Sequence, residues 1–221
     1  MATSKEMPQA IHLKKQLKQC QELPEELAIR IHRSISWLIC FEEHEKNPDV
    51  GFLSLWISFN ACYGVDASNN EKKTERERFK KFIDQLVQKD ESQRIFNLLW
   101  NKFSGPVKML IDNHFVFKTF WDFHRGEAPE WETAFRKSQS AALRKLSEQD
   151  VAGLLEIVLD RLYVLRNQVM HGGATYKSKL NRSQIKDGVN MLRLLIPVII
   201  EIMLQNPEED WGEILYPVIT N

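Results

Sequence analysis

Apolar residues recur every three or four positions over most of the chain, the spacing that gathers them on one face of an α-helix. Leu27, Ile31, Ile35, Leu38, Ile39 and Phe41 outline a helix to about Glu45, entered through Pro24-Glu25-Glu26, where a fixed φ and two carboxylates suit a first turn. Asn47-Pro48-Asp49 breaks the pattern. The next run, FLSLWISFNACY from Phe52 to Tyr63, is apolar almost all round, with Gly64 as a stop. A helix of that kind belongs at the centre of a bundle, and its one amide, Asn60, is expected to hydrogen-bond a neighbouring backbone. Phe79, Phe82, Ile83, Leu86 and Val87 mark the inner face of a charged helix, and Ile95, Phe96, Leu98, Leu99, Trp100 and Phe103 continue helical spacing until Ser104-Gly105-Pro106 ends it. Further on, Ser147-Glu148-Gln149-Asp150 reads as a helix start, with Ser147 as N-cap and Asp150 in a capping-box role. Leu154, Leu155, Val158, Leu159, Leu162 and Leu165 give the inner face of a helix reaching about Met170, where Gly172-Gly173 can adopt the positive φ of a C-cap. Ser183 is the expected cap of a last long helix, apolar from Ile185 to Met203 and kinked or relaxed at Pro197.

Composition agrees with an all-α reading: nine Gly and eight Pro are scattered through 221 residues, and alternating strand patterns are scarce. That length suits one domain with an embellishment, or two small ones, with enough chain for a sizeable core. Residues 1–23 are polar and read as an arm or a short docking helix, while the tail 206–221, with Trp211, Ile214, Leu215 and Val218, is expected to fold back. Lys+Arg and Asp+Glu balance at 30 each, so no global positive field favours nucleic acid and any basic surface must be local. The cluster Lys72, Lys73, Arg76, Arg78, Lys80 and Lys81 is interrupted by Glu75 and Glu77, and reads as a solvated helix face before an RNA-contacting one. Between 106 and 146 the chain carries Phe115, Phe117, Phe120, Trp121, Phe123, Trp131 and Phe135 with His114, His124 and Arg125. Aromatics interleaved with basic groups can stack bases, although filling a small core is the simpler use of them.

His114 and His124 have no companion at metal-ligand spacing, so no metal site and no cofactor are expected. The three cysteines, Cys20, Cys40 and Cys62, are far apart and include no CxxC, which argues against a disulfide framework or a zinc site. No secretory h-region is visible and the longest apolar run, Leu194 to Ile200, is too short to span a bilayer; a cytoplasmic location without membrane association is the expectation.

Chemistry concentrates in Arg166-Asn167-Gln168-Val169-Met170-His171-Gly172-Gly173, RNQVMHGG, at the end of the Val151–Leu165 apolar run. An arginine presents a fixed fork of donors to phosphate oxygens, a histidine can exchange a proton with a ribose hydroxyl or a leaving oxygen, and Asn167 can orient either one. On a straight helix, however, Arg166 and His171 lie about 140° apart around the axis and about 7.5 Å along it. Their cooperation requires the helix to unwind near His171, or a groove that receives these residues from two chains. Arg, Asn and His before Gly at a helix C-terminus are also what capping favours by itself, so spacing leaves catalysis and capping both open.

RNQVMHGG at the end of an apolar helix, the preceding LDRLYVLRN and the upstream LWISFNACYG together resemble the HEPN superfamily of small helical domains, and within it the Apea-like branch. The resemblance covers about 25–64 and 147–205. It implies an up-and-down bundle of four to five core helices over 24–205, with 106–146 as an inserted helical elaboration, and a homodimer whose two Arg/His motifs line one cleft. Many members are metal-independent endoribonucleases of toxin–antitoxin, phage-defence and RNA-processing systems. Carried over residue by residue, Arg166 and His171 would be catalytic and Asn167 supporting, with RNA as substrate and an antitoxin or other protein as partner. Many other members do not cleave anything, so a non-catalytic module binding nucleotide, RNA or a partner protein is the alternative. One departure stands out: where toxins paired with a nucleotidyltransferase antitoxin often carry Tyr two residues after the His, this chain has Gly173, and its nearest tyrosine is Tyr176.

Overall fold

The computed structural model describes residues 9–20, 22–64, 75–179, 182–214 and 216–219. Among them the periodic apolar runs become ten α-helices and no strand, with 76% of the chain helical. The helices are α1 Gln9–Gln19, α2 Glu25–Glu43, α3 Pro48–Tyr63, α4 Glu75–Lys89, α5 Arg94–Phe96, α6 Ser104–Asp112, α7 Lys118–His124, α8 Glu132–Glu148, α9 Val151–Met170 and α10 Arg182–Gln205. A π-helical stretch, Asn97–Lys102, follows α5, and a 3-10 turn, His114–Val116, precedes α7. The fold is all-α, and no helix among the described residues is long and apolar enough to cross a membrane. The chain divides into two compact units: Met1–Lys89 with Leu192–Asn221, and Asp90–Met191.

In the first unit α2 and α3 form an antiparallel hairpin, because Arg30, Ser34 and Cys40 meet Cys62, Ser58 and Ser54 in reverse order. Asn47, read as a break, also starts α3: its side chain accepts from Val50 N–H while Pro48 takes the first turn. Buried residues cover most of the circumference of α3, including Phe52, Leu55, Trp56, Phe59 and Cys62, and the remaining side is half-buried, in line with its all-round apolar sequence. Asn60 departs from expectation, since its carboxamide oxygen is buried with no hydrogen-bond partner among the described residues. The nearby helix backbone is already paired, with Asn60 O accepting from Gly64 N–H at 2.7 Å. α1 docks on α2 through the buried Ala10 and Leu13, and Glu42 Oε1 accepts the Ala10 N–H at 2.9 Å. Lys72 and Lys73 of the basic cluster lie outside the described residues, as do the side chains of Glu75 and Arg76. Of the rest, Lys80 pairs with Asp84 at 2.6 Å and Lys81 with Asp210 at 3.6 Å, exposed pairs of the kind that stabilise little.

Arg30, 1% exposed, ties this unit together. Its Nη1 donates to Cys62 O at 3.0 Å and Gly64 O at 2.8 Å, and its Nη2 to Gly212 O at 2.9 Å and Glu213 O at 3.2 Å. The guanidinium thus meets the carbonyl end of α3, where the helix dipole favours a cation, and holds residues 212–213 against it. Trp211 and Ile214 are buried alongside, Trp211 edge-on to Phe82 at 6.1 Å.

The second unit is built on an α8–α9 hairpin, with α6 packed on both helices and α7 on α8. Here the sequence reading of the helix start shifts by three residues. α8 runs through Ser147 to Glu148, and Ser147 Oγ donates back to Arg144 O, as a serine inside a helix does. Asp150 is the N-cap of α9: Oδ1 accepts Gly153 N–H at 2.8 Å while Oδ2 pairs with Lys145 Nζ at 2.7 Å. A carboxylate serving both helices outcompetes a hydroxyl at this position. Ser183, likewise, lies inside α10 and bonds Gln184 Oε1. Ser104-Gly105-Pro106 ends the π-helical stretch but also opens α6. α10 runs through Pro197 without a break.

Arg161 is the second buried guanidinium among the described residues, 3% exposed and in no ion pair there with a carboxylate. It lies over the rings of Phe117 at 4.5 Å and Phe135 at 5.5 Å, and its Nη2 donates to Ser138 Oγ at 3.0 Å. Burial pulls its pKa down to about 10, which leaves it a cation at neutral pH, stabilised by the ring faces. The aromatic segment therefore does fill a core, with Phe120 and Phe135 at its centre.

Two tests address these contacts. Burial pushes the Cys62 thiol up to about 11 from 9.0, against the hydrogen bond to Ser34 and the charge of Arg30. Because the folded state then holds this proton more tightly, stability is full below about pH 9 and falls as pH rises towards 11, a slope that Cys62→Ala removes in denaturant titrations. In native protein at pH 8 Cys62 resists iodoacetamide, and it labels after unfolding in guanidinium. Gln149 sits at φ 56 after α8, a left-handed conformation that suits glycine. Gln149→Gly accordingly raises stability by about 1 kcal/mol, read as a higher melting temperature.

Candidate functional site

RNQVMHGG occupies the last turn of α9 and its exit, inside the second unit. The helix is regular through Met170, and His171 still donates its backbone N–H to Asn167 O at 3.0 Å. Only then does the chain leave the helix. Gly172, at φ +74, donates to Val169 O at 3.3 Å, and Gly173 donates to Gln168 O at 2.7 Å. These crossed bonds form a Schellman stop, which satisfies carbonyls that the helix end would otherwise leave open. Unwinding before His171, one of the two routes by which Arg166 and His171 could meet, is not what this chain does: the glycines release the helix one residue too late.

The angular relation is then set by helix geometry, with about 100° between successive residues. Taking Arg166 as zero, Met170 lies near 40°, Tyr163 near 60°, Asn167 near 100° and His171 near 140°. Arg166 and His171 are therefore the two edges of one outward sector of α9. Tyr163, Met170 and His171 in that sector are exposed and Arg166 and Asn167 half-buried, while Val158, Leu162 and Leu165 fill the opposite, buried side.

Arg166 and Asn167 are brought into direct contact: Arg166 Nη1 donates to Asn167 Oδ1 at 2.9 Å. Arg166 Nε is buried without an acceptor among the described residues, and the guanidinium carbon stands 5.9 Å from the Tyr163 ring centroid. With Oδ1 engaged, the group that Asn167 has left to offer is its NH2, a donor suited to an anionic oxygen. His171 is exposed at the helix end, and a Cβ placed on Gly172 would meet nothing within 4 Å beyond its chain neighbours.

The sequence assigned no role to Gln168, yet Gln168 Nε2 donates to Phe115 O at 2.5 Å, which fixes the 3-10 turn against the end of α9. Trp121 Nε1 donates to the same carbonyl at 2.8 Å. Fifty-three residues separate Phe115 from Gln168, and no local pattern signals such a pairing. His114 lies among rings, 4.2 Å from Phe115 and 5.2 Å from Trp131. Among the described residues no group of three or more His, Cys, Asp or Glu side chains is placed to hold a metal ion.

The stop itself is open to test. Gly172→Ala forces a side chain into a left-handed conformation with no compensating contact, and lowers stability by about 1 kcal/mol, whereas Gly172→Asn, which tolerates that conformation, costs less. Equal melting temperatures for the two variants and the wild type would contradict the assigned backbone. No protein-family model matches the chain, and neither a curated protein nor a solved structure does.

Proposed function

We propose that this chain is a HEPN-like, metal-independent endoribonuclease acting as a homodimer in the cytoplasm, in a toxin or phage-defence setting with an antitoxin or other protein as partner. The observation that carries the reading is an outward α9 sector with Arg166 at one edge and the exposed His171 at the other, Arg166 being hydrogen-bonded to Asn167 between them. Arg166 and the Asn167 NH2 supply cationic and neutral donors for phosphate oxygens, and His171 supplies an imidazole able to give or take a proton.

In the proposed reaction the ribose 2′-hydroxyl loses its proton and its oxygen attacks the adjacent phosphorus. The bond to the 5′-oxygen breaks, leaving a 2′,3′-cyclic phosphate and a 5′-hydroxyl. Arg166 offsets the charge that builds on the pentavalent phosphorus, and Asn167 holds the guanidinium in register. His171 acts as base towards the 2′-hydroxyl or as acid towards the leaving oxygen. Because Arg166 and His171 face outward at the two edges of a convex helix, a second wall is needed to enclose the phosphate, and a second copy of the same sector supplies it with the complementary pair.

The non-catalytic alternative, a module binding nucleotide, RNA or a partner protein, draws on the balanced charge of 30 basic and 30 acidic residues. Incubation of the protein with total RNA in EDTA separates the two readings. Cleavage is expected for wild type, with a loss of about 10²–10⁴-fold for His171→Ala and a comparable loss for Arg166→Ala. Intact RNA at high protein concentration would leave the binding module, and equal cleavage by all three would indicate a contaminating nuclease. Light scattering is expected to return the mass of a dimer; a strict monomer would remove the second wall.

A further inference from the structure

We propose, on the strength of the ribonuclease reading above, that Phe115 is a base-stacking platform: its exposed ring receives a nucleobase of single-stranded RNA whose neighbouring phosphate reaches His171. Seven aromatic residues crowd the segment between 106 and 146, and the structure separates them. Phe120 and Phe135 are core, Phe117, Trp121 and Trp131 are half-buried, and only Phe115, at 43%, and Phe123, at 36%, are exposed. Phe123 packs on His124 within its own helix. Phe115 is instead fastened to the candidate site.

The fastening is entirely through the Phe115 backbone. Its N–H donates to Asn113 Oδ1 at 2.9 Å, and its carbonyl accepts from both Trp121 Nε1 and Gln168 Nε2. The ring is supported by His114 at 4.2 Å and edge-on by Phe120 at 5.4 Å. A large apolar ring held this firmly while left open to water is preorganised for a planar partner, since little freedom remains to be lost on binding. Gln168 and His171 are three residues apart on α9, the spacing that makes helical side chains neighbours, about 5–6 Å between Cβ atoms. The Phe115 carbonyl is therefore held beside Gln168, just beyond the His171 edge of the sector.

Arg166 stands by Tyr163, and Lys177, six residues past His171, lies 5.1 Å from the Tyr176 ring. Aromatic faces interleaved with cations suit single-stranded nucleic acid, because each base has a π-face and each linkage a negative charge.

The test uses the full chain and a short single-stranded RNA in which every 2′-hydroxyl is methylated, so that it cannot be cleaved, with one 2-aminopurine. Wild type is expected to bind it and quench the fluorophore. Phe115→Leu, which keeps an apolar side chain but has no π-face, is expected to bind about 5- to 150-fold more weakly without quenching, and Phe115→Trp to restore both. Circular dichroism melts confirm that each variant is folded; Phe115→Met replaces Phe115→Leu, and Phe115→Tyr replaces Phe115→Trp, where one is not. Binding and quenching by Phe115→Leu equal to wild type would overturn the assignment. So would unchanged affinity accompanied by a fall in molar mass, which would make Phe115 a contact between copies. Failures of the two readings differ in kind. Phe115-dependent binding without cleavage of natural RNA would retain the platform and remove the nuclease, whereas cleavage with the same KM in wild type and Phe115→Leu would do the reverse. Wild type that binds no RNA would remove both.

Discussion

The two crossed hydrogen bonds from Gly172 and Gly173 to Val169 and Gln168 decide where α9 ends, and with it the directions of every side chain at the candidate site. Had the helix frayed one turn earlier, Arg166 and His171 could have converged within one chain. Because it stays regular through Met170, they are held about 140° apart and cannot converge by local adjustment. The capping and catalytic readings of the same eight residues are therefore not rivals. The cap is what fixes the geometry that any chemistry here must use.

Two buried arginines show how differently one residue type is accommodated in this chain. Arg30 Nη1 and Nη2 donate to five backbone carbonyls, at the end of α3 and in residues 212–213, so its charge is met by dipoles. Arg161 makes a single side-chain hydrogen bond and is otherwise faced by aromatic rings. Neither has a buried carboxylate partner among the described residues, and a lone buried charge is costly unless such groups surround it. Arg161 also explains the aromatic density of the 106–146 segment: Phe117 and Phe135 are required as ring faces for a cation, while Phe120 and Trp131 enclose them. What that core leaves outside, Phe115 above all, is available for something else.

The apolar periodicity was sufficient to locate α2, α3, α4, α9 and the apolar part of α10, because a stripe of Leu, Ile and Phe at 3.6-residue spacing has one low-energy arrangement. Helix ends were less legible. Ser147 and Asp150 are both good N-cap types, and the choice fell to Asp150 because Lys145, on the preceding helix, pairs with it. Ser183 lies inside α10, one residue past its start. Asn60, expected to be satisfied by a neighbouring backbone, keeps a buried oxygen without a partner among the described residues because the helix ladder had already used the groups in reach.

By itself, then, the sequence determined that the chain is helical, where its principal helices run, and that Arg166, Asn167 and His171 gather at the end of one of them, since these follow from local spacing and residue chemistry. Tertiary structure decided the rest: that Gln168 holds the turn bearing Phe115, and that one arginine is dressed in carbonyls and another in rings. Those pairings join residues up to 183 positions apart, and no local pattern encodes which distant groups will meet once the apolar faces have been buried.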